Sequence, residues 1–316
     1  AINHNPFGPE GDEMDPAFFG RMQRIIEAAD EIGMIIIVNI FYWAQAQRMS
    51  GAHAILKALR NTCHWIKDHG WTNVMIDVAN EFDIPMNKNH PILQTDEGIA
   101  TLIEIAKVES GVPVGSSGCG GTVEKQAARA SDFVIVHGNQ LSRGELYDLF
   151  RHQREIALDK PILCNEDSPC FTRVDVSVEA GCSWGYYNNY TKQIPPCFWG
   201  VTRGEDLFFA RRMARAIGIP VEPLPRKDQF VLMGLNPEEA FTGLHTMRVA
   251  CEFPEEVNKV TFYKNGEKIY TAYDEAFFCY TEDTWLGTPF KVEKGDVYRA
   301  DILLVDGTVI TREQSI

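Results

Sequence analysis

The 316 residues carry a formal charge of −14, with 45% hydrophobic and 23% charged side chains. This is the composition of an ordinary globular protein, with length for one barrel-sized domain plus a small one or for two medium domains. The acidity and the lack of a Lys/Arg stripe argue against a nucleic-acid or anionic-membrane partner, and no run of about 18 apolar residues encodes a membrane-spanning helix.

Asp15-Pro16 predicts a helix start, because Asp caps and Pro suits the first helical position. Apolar residues then recur at helical spacing (Phe18, Met22, Ile25, Ile26, Ala29, Ile32) up to Gly33. Residues 34–40 read as a buried strand broken only by Asn39, and Phe41-Tyr42-Trp43 follow at its end. A helix over 50–69 precedes the stretch 74–79, in which Asp77 is the sole polar residue. That stretch reads as a parallel strand covered on both faces, and it ends in Asn80-Glu81.

The alternation continues with a helix over 96–109 and short strands at 113–115 and 133–136, the second delivering His137-Gly138-Asn139. A helix over 141–157 leads to a strand at 161–164, which brings Glu166 to its C-terminal end in the same way. Residues 172–181 are expected to be helical, 183–186 to be a last short strand and 203–217 a closing helix. Six strands alternating with helices call for a parallel sheet with helices outside.

Beyond the proline-rich segment 219–225 the pattern changes to short strands separated by turns. These are expected at 243–252, 257–264, 268–273, 276–281, 296–305 and 308–311, with Asn265-Gly266 and Asp306-Gly307 as hairpin turns. The domains are therefore placed at 1–220 for the α/β part and 221–316 for a small immunoglobulin-like β-sandwich. Of the eight cysteines, none forms a CxxC pair. Cys164, Cys170, Cys182 and Cys197 gather in one region and read as buried thiols, with a disulfide from Cys170 to Cys182 or Cys197 as the alternative.

Asn80-Glu81, His137, Glu166 and Trp184, in this order on successive strands, resemble the large clan of retaining (β/α)8 TIM-barrel glycoside hydrolases that includes the cellulase-type family 5 enzymes. The resemblance covers residues 15 to about 217. In that clan the Asn-Glu strand is the fourth, the His strand the sixth, the nucleophile strand the seventh and the Trp strand the eighth. From position 81 to position 166 is 85 residues, room for three β/α units of about 30 residues each. On this mapping the strand at 34–40 is the third, so the first two barrel strands are expected from a missing N-terminal segment or from a second chain. More narrowly, FYW, HGN, NED and SWGYY are similar to uncharacterised bacterial barrel glycosidases with a C-terminal β-sandwich, which supply no substrate.

The resemblance implies roles residue by residue. Glu166 is the nucleophile and Glu81 the acid/base, protonated at rest, with Asn80 on the sugar 2-hydroxyl. His137 and Asn139 orient a glutamate or bond a hydroxyl, and Trp184 stacks on the sugar. Tyr42, Trp43, Tyr186 and Tyr187 are further sugar platforms, Asn39 points into the site, and His4 and Asn5 lie at the rim. Asp83 is a fallback carboxyl, whereas Asp167 is sent to the opposite side from Glu166 by strand alternation.

No metal or nucleotide cofactor is implied, because no strand ends in a His-x-His ligand pair. The partner is a carbohydrate substrate, and the setting is a secreted or periplasmic bacterial one, although residues 1–6 lack a signal-peptide pattern. The plainer alternative for Asn80-Glu81 is a first-turn pair on the following helix. The alternative for the whole chain is a non-catalytic carbohydrate-binding protein on an incomplete barrel.

Overall fold

A computed structural model describes residues 4–188, 200–281 and 287–316. The chain forms two compact units, one of Ala1–His137 with Asp148–Cys164 and the other of Gly138–Tyr147 with Asn165–Ile316.

The first unit opens with α1 (Pro16–Glu31), capped as the sequence predicts: Asp15 Oδ1 accepts the amides of Ala17 and Phe18 at 2.8 and 3.0 Å. Strand β1 (Ile36–Phe41) begins two residues later than expected. Met34 is taken up by the helix end, its amide donating to the Ala29 carbonyl at 2.8 Å, and Met34 and Ile35 are exposed. A single turn, α2 (Trp43–Ala46), leads to α3 (Ala52–His69), whose Ala54, Ile55, Ala58, Leu59, Cys63 and Ile66 form its buried face. Gly70, at φ +67°, ends α3 in the left-handed conformation that a residue without Cβ adopts cheaply.

Strand β2 (Val74–Ala79) follows, then the short α4 (Pro91–Gln94) and α5 (Asp96–Ser110). Next come β3 (Val114–Gly115), α6 (Lys125–Ala130) and β4 (Val134–His137). β1, β2 and β3 pair in parallel, with Asn39 opposite Asp77 and Asp77 opposite Gly115. A parallel bridge from Ser117 to Ile135 carries the array on to β4. Gly115 is needed for this approach, since a Cβ there would lie 2.3 Å from the Phe133 carbonyl oxygen.

α7 (Arg143–Ala157) and β5 (Ile162–Glu166) each run from one unit into the other along the chain. After α8 (Arg173–Glu179) and β6 (Ser183–Trp184), the order β4-β5-β6 completes the six expected strands. The sheets are small and open: among the described residues no strand closes the array back onto β1.

In the second unit a wide helical turn at Arg203–Leu207 runs into α9 (Phe208–Ala216). The remaining elements are β7 (Phe230–Met233), β8 (Arg248–Cys251), β9 (Val257–Lys264), β10 (Glu267–Ala272), β11 (Val297–Leu304) and β12 (Val309–Ser315). β7 and β8 form one antiparallel pair, and β10-β9-β11-β12 a second antiparallel sheet. Phe230, Met247, Val249, Val260, Phe262, Tyr298, Ala300 and Ile302 share one apolar core.

Asn265 and Gly266, both at positive φ, make the expected tight hairpin. The strand expected at 276–281 does not form. Ala276, Phe277 and Tyr280 have positive φ, and the segment contributes only isolated bridges, Arg248 to Phe278 and Thr281 to Gly287. β7 was not anticipated.

Residues on either side of the 219–225 segment are held in this one unit. Phe171 and Phe208 pack with Met233 and Ala250, and Arg211 and Arg212 of α9 pair with Glu252 and Glu255 at 2.6 and 2.8 Å. Cys170 and Cys182 are not bonded to each other: the Sγ of Cys170 faces the Glu275 carbonyl and that of Cys182 the Ala180 carbonyl, both at 3.5 Å. Cys197 lies outside the described residues.

Along β11, buried residues alternate with partly exposed ones. Ile302→Ala, which empties a fully buried position, should cost about 2–5 kcal/mol. Val309→Ala, at an exposed position of β12, should stay within about 0.5 kcal/mol. Urea denaturation of the two variants beside the parent checks the contrast.

Candidate functional site

The first unit gathers one set of polar side chains at the C-terminal ends of β1, β2 and β4. Asn80 continues the ladder, its amide donating to the Phe41 carbonyl at 3.0 Å. Glu81 then leaves it with φ +47°, a left-handed conformation that costs a residue with a Cβ about 1 kcal/mol or more. Ser117 holds the turn from both sides: its hydroxyl accepts the Glu81 amide and its carbonyl the Phe82 amide, each at 3.0 Å. The Phe82 ring is fully buried and anchors the loop.

So turned, the Glu81 side chain is a quarter exposed, and its Oε1 lies 3.2 Å from Nδ1 of His137, whose own side chain is 5% exposed. The neighbouring Asp83 is occupied, its Oδ1 accepting the Cys119 amide.

Within β2 itself lies Asp77, which the sequence reading passed over as a lone polar residue in a buried strand. It is 2% exposed. Its Oδ2 accepts Nδ2 of Asn39 at 2.8 Å. Burial raises its carboxyl from the ordinary 3.8 to about 6, against the opposing pull of the Asn39 amide and the His137 imidazole. Its signal in the sequence was present: the two apolar runs are each broken once, by Asn39 and Asp77, at the same register position, although β1 is only half buried and Asn39 is exposed.

Tyr42 and Trp43 are half-buried at the start of α2, with ring centroids 5.6 Å apart. His4 and Asn5 are engaged locally, His4 Nε2 with Asp15 at 2.9 Å and Asn5 Nδ2 donating to the Gly8 carbonyl at 2.9 Å.

The second unit holds the other glutamate. The Glu166 backbone carbonyl accepts the Gly138 amide at 2.8 Å, which brings the next loop alongside, and Asn139 Nδ2 donates to Glu166 Oε1 at 3.0 Å. Glu166 is half-buried, whereas Asp167 is completely enclosed. Asp167 Oδ1 accepts NH1 of Arg173 at 2.8 Å, and its Oδ2 accepts Nε1 of Trp184 at 2.6 Å. Burial raises the Asp167 carboxyl to about 6 despite the Arg173 charge.

Trp184, expected as a sugar platform, is only 3% exposed, with its indole against Phe209. What it does here is hold Asp167. Tyr186 is likewise turned inward: its hydroxyl donates to Glu205 Oε1 at 2.7 Å and accepts NH2 of Arg248 at 2.9 Å. Each polar tip is drawn to a buried charge; the Trp184 ring is enclosed, whereas Tyr186 is only partly buried. Tyr187 remains half-buried.

No family model matches the chain, and no curated protein matches it in sequence. Similar solved structures include β-glucuronidase 2 of Bacteroides uniformis, covalently bound to cyclophellitol-6-carboxylate aziridine. It is 10% identical with a TM-score of 0.45, over 92% of this chain and 40% of that one. Another structure of a B. uniformis β-glucuronidase is 11% identical, with a TM-score of 0.46 over 99% and 46% of the two chains. A trimodular endoglucanase of subfamily GH5_4 is 10% identical, with a TM-score of 0.47 over 98% and 68%. The chain thus spans less than half the length of the two glucuronidases, and at these scores no likeness assigns a role to a residue here.

Asp77 and Asp167 bind a proton more tightly when folded than the ordinary value of 3.8 allows when unfolded. Their contribution to stability is therefore full below about pH 4 and is lost as the pH rises through about 6. Asp77→Asn should flatten part of that slope, read from urea denaturation at a series of pH values. An unchanged slope would contradict the assignment.

Proposed function

We propose that the chain is a retaining glycoside hydrolase that cleaves β-glycosidic bonds of a poly- or oligosaccharide by double displacement. One observation carries this reading: each strand-end motif keeps a partly exposed glutamate, Glu81 in one and Glu166 in the other. Asp83 binds a backbone amide and Asp167 is sealed in an ion pair with Arg173. Glu81 and Glu166 are each partly exposed at the end of a strand, Glu81 against His137 and Glu166 against Asn139. The chemistry asks for reacting acids that are open to substrate and held by a neighbour.

In the proposed reaction Glu166 attacks the anomeric carbon as Glu81 gives its proton to the departing glycosidic oxygen. Glu81 then takes a proton from water, the water oxygen attacks the same carbon, and the Glu166 carboxylate leaves. Asn139 would hold Glu166 in its attacking orientation and His137 would hold Glu81, while Asn80 would bind the sugar 2-hydroxyl. Tyr42, Trp43 and Tyr187, each half-buried, are aromatic surfaces that would meet a sugar face, and the enclosed Trp184 drops out of that role.

A screen of aryl β-glycosides identifies a cleaved substrate, on which Glu166→Ala should lose about 10⁴-fold or more in turnover while keeping affinity for the sugar. Glu81→Ala should lose far less on substrates with a good leaving group than on those with a poor one, and azide should restore it as a glycosyl azide is formed. No turnover by the parent, with binding that neither substitution alters, would favour a non-catalytic carbohydrate-binding protein instead.

A further inference from the structure

We propose that Arg173 is a positioning residue for the nucleophile, clamping the turn that holds Asn139 against Glu166. The proposal rests on the reading of Glu166 as nucleophile and extends it to a residue outside both strand-end motifs.

Three observations carry it. The first is the turn itself. The Leu141 amide donates to the Gly138 carbonyl at 3.2 Å, closing a four-residue turn with Asn139 and Gln140 at its centre. Gln140 has φ +67°, a conformation that a residue with a Cβ keeps only where its surroundings hold it. From this turn Asn139 Nδ2 reaches Glu166 Oε1 at 3.0 Å, and the Gly138 amide reaches the Glu166 carbonyl at 2.8 Å.

The second is where the Arg173 guanidinium goes. Its NH1 donates to the Gly138 carbonyl at 3.3 Å and its NH2 to the Leu141 carbonyl, so one planar group spans both ends of the turn. The same NH1 donates to Asp167 Oδ1 at 2.8 Å, and Trp184 Nε1 holds the other oxygen of that carboxyl at 2.6 Å. Trp184, Asp167 and Arg173 are thus joined by hydrogen bonds to the turn, and the turn by hydrogen bonds to Glu166.

The third is the closeness of the fit. Arg173 is 8% exposed and Asp167 completely enclosed, where an apolar pair would fill the space without burying two charges. A Cβ at Gly138 would lie 3.0 Å from Asp167 Cγ and 2.9 Å from Leu146 Cδ1, so the turn sits directly on the ion pair. A carboxylate held in its attacking orientation reacts faster without binding its substrate more tightly, which is the effect a clamp on Asn139 supplies.

The test is the rate at which the protein is covalently labelled by a 2-fluoro derivative of the aryl glycoside that the parent cleaves. Arg173→Lys keeps a positive charge beside Asp167 but lacks the fork that spans both carbonyls. It should slow labelling by about tenfold or more, with KM for the parent aryl glycoside changed by less than about twofold. Asn139→Ala should slow labelling as well, and adding Arg173→Lys to it should cost less than about twofold more, because the clamp then has nothing to position.

A merely structural role would make the two losses multiply, and that result, or no loss in Arg173→Lys, overturns the proposal. Should Arg173→Lys fail to fold, Trp184→Phe decides, since it removes one donor from Asp167 and keeps a ring in place. A loss that disappears in the Asn139→Ala background supports the proposal; an equal loss in both backgrounds, or none, overturns it. Glu166→Ala separates the two levels. If it is still labelled at the parent rate, the nucleophile reading falls and this proposal with it. If it is not labelled while the Arg173 and Asn139 losses multiply, only the role of Arg173 is lost.

Discussion

A carboxyl at the end of a buried strand goes where its backbone sends it, and the constraint on which this account depends is the left-handed turn at Glu81. Continued extension would carry the next side chains along the ladder. Instead Ser117 clasps the Glu81 and Phe82 amides, the buried Phe82 ring pins the loop, and the Glu81 carboxyl is delivered to His137. The clasp exists because β3 runs beside β2 in register, and β3 comes close enough to β4 only because Gly115 has no side chain. Backbone strain of about 1–3 kcal/mol at such a residue persists only where its surroundings over-determine it, and here they do.

Glu166 is held by different means. Its backbone stays in the strand, and the choice between it and Asp167 is made by alternation and then locked by charge. Asp167 turns inward to Arg173 and Trp184, Glu166 stays half-open, and the Gly138 amide ties the Asn139 loop to the Glu166 carbonyl. Removing Arg173 would leave Asp167 as an enclosed unpaired charge, which is why an apparent spectator acid has so tightly built a surround.

Much of this was legible from the sequence because it is local. Asp15-Pro16 wrote the start of α1, the apolar runs wrote β1 and β2, and Asn265-Gly266 wrote its hairpin. The two glutamates could be singled out because each lies at the C-terminal end of a strand, and Asp167 could be set aside by period-two alternation. What escaped depends on partners distant in sequence. Trp184 and Tyr186 read as sugar platforms because an aromatic ring at a strand end looks the same whether it faces solvent or a buried charge. Only Asp167, Glu205 and Arg248 decide, and their positions are tertiary facts. The strand expected at 276–281 had the right composition, but positive φ at Ala276, Phe277 and Tyr280 broke it. Asp77 was visible yet undervalued, since its meaning emerges only once Asn39 is found opposite it.

The central claim is that Glu81 and Glu166 act on one sugar. The measurement that tests it most directly is a crystal structure of the protein after reaction with a 2-fluoro aryl glycoside. The account predicts a glycosyl ester on the Glu166 carboxyl, with the Glu81 carboxyl about 5–5.5 Å from it. An ester on another residue, or a Glu81 carboxyl far outside that range, would contradict it.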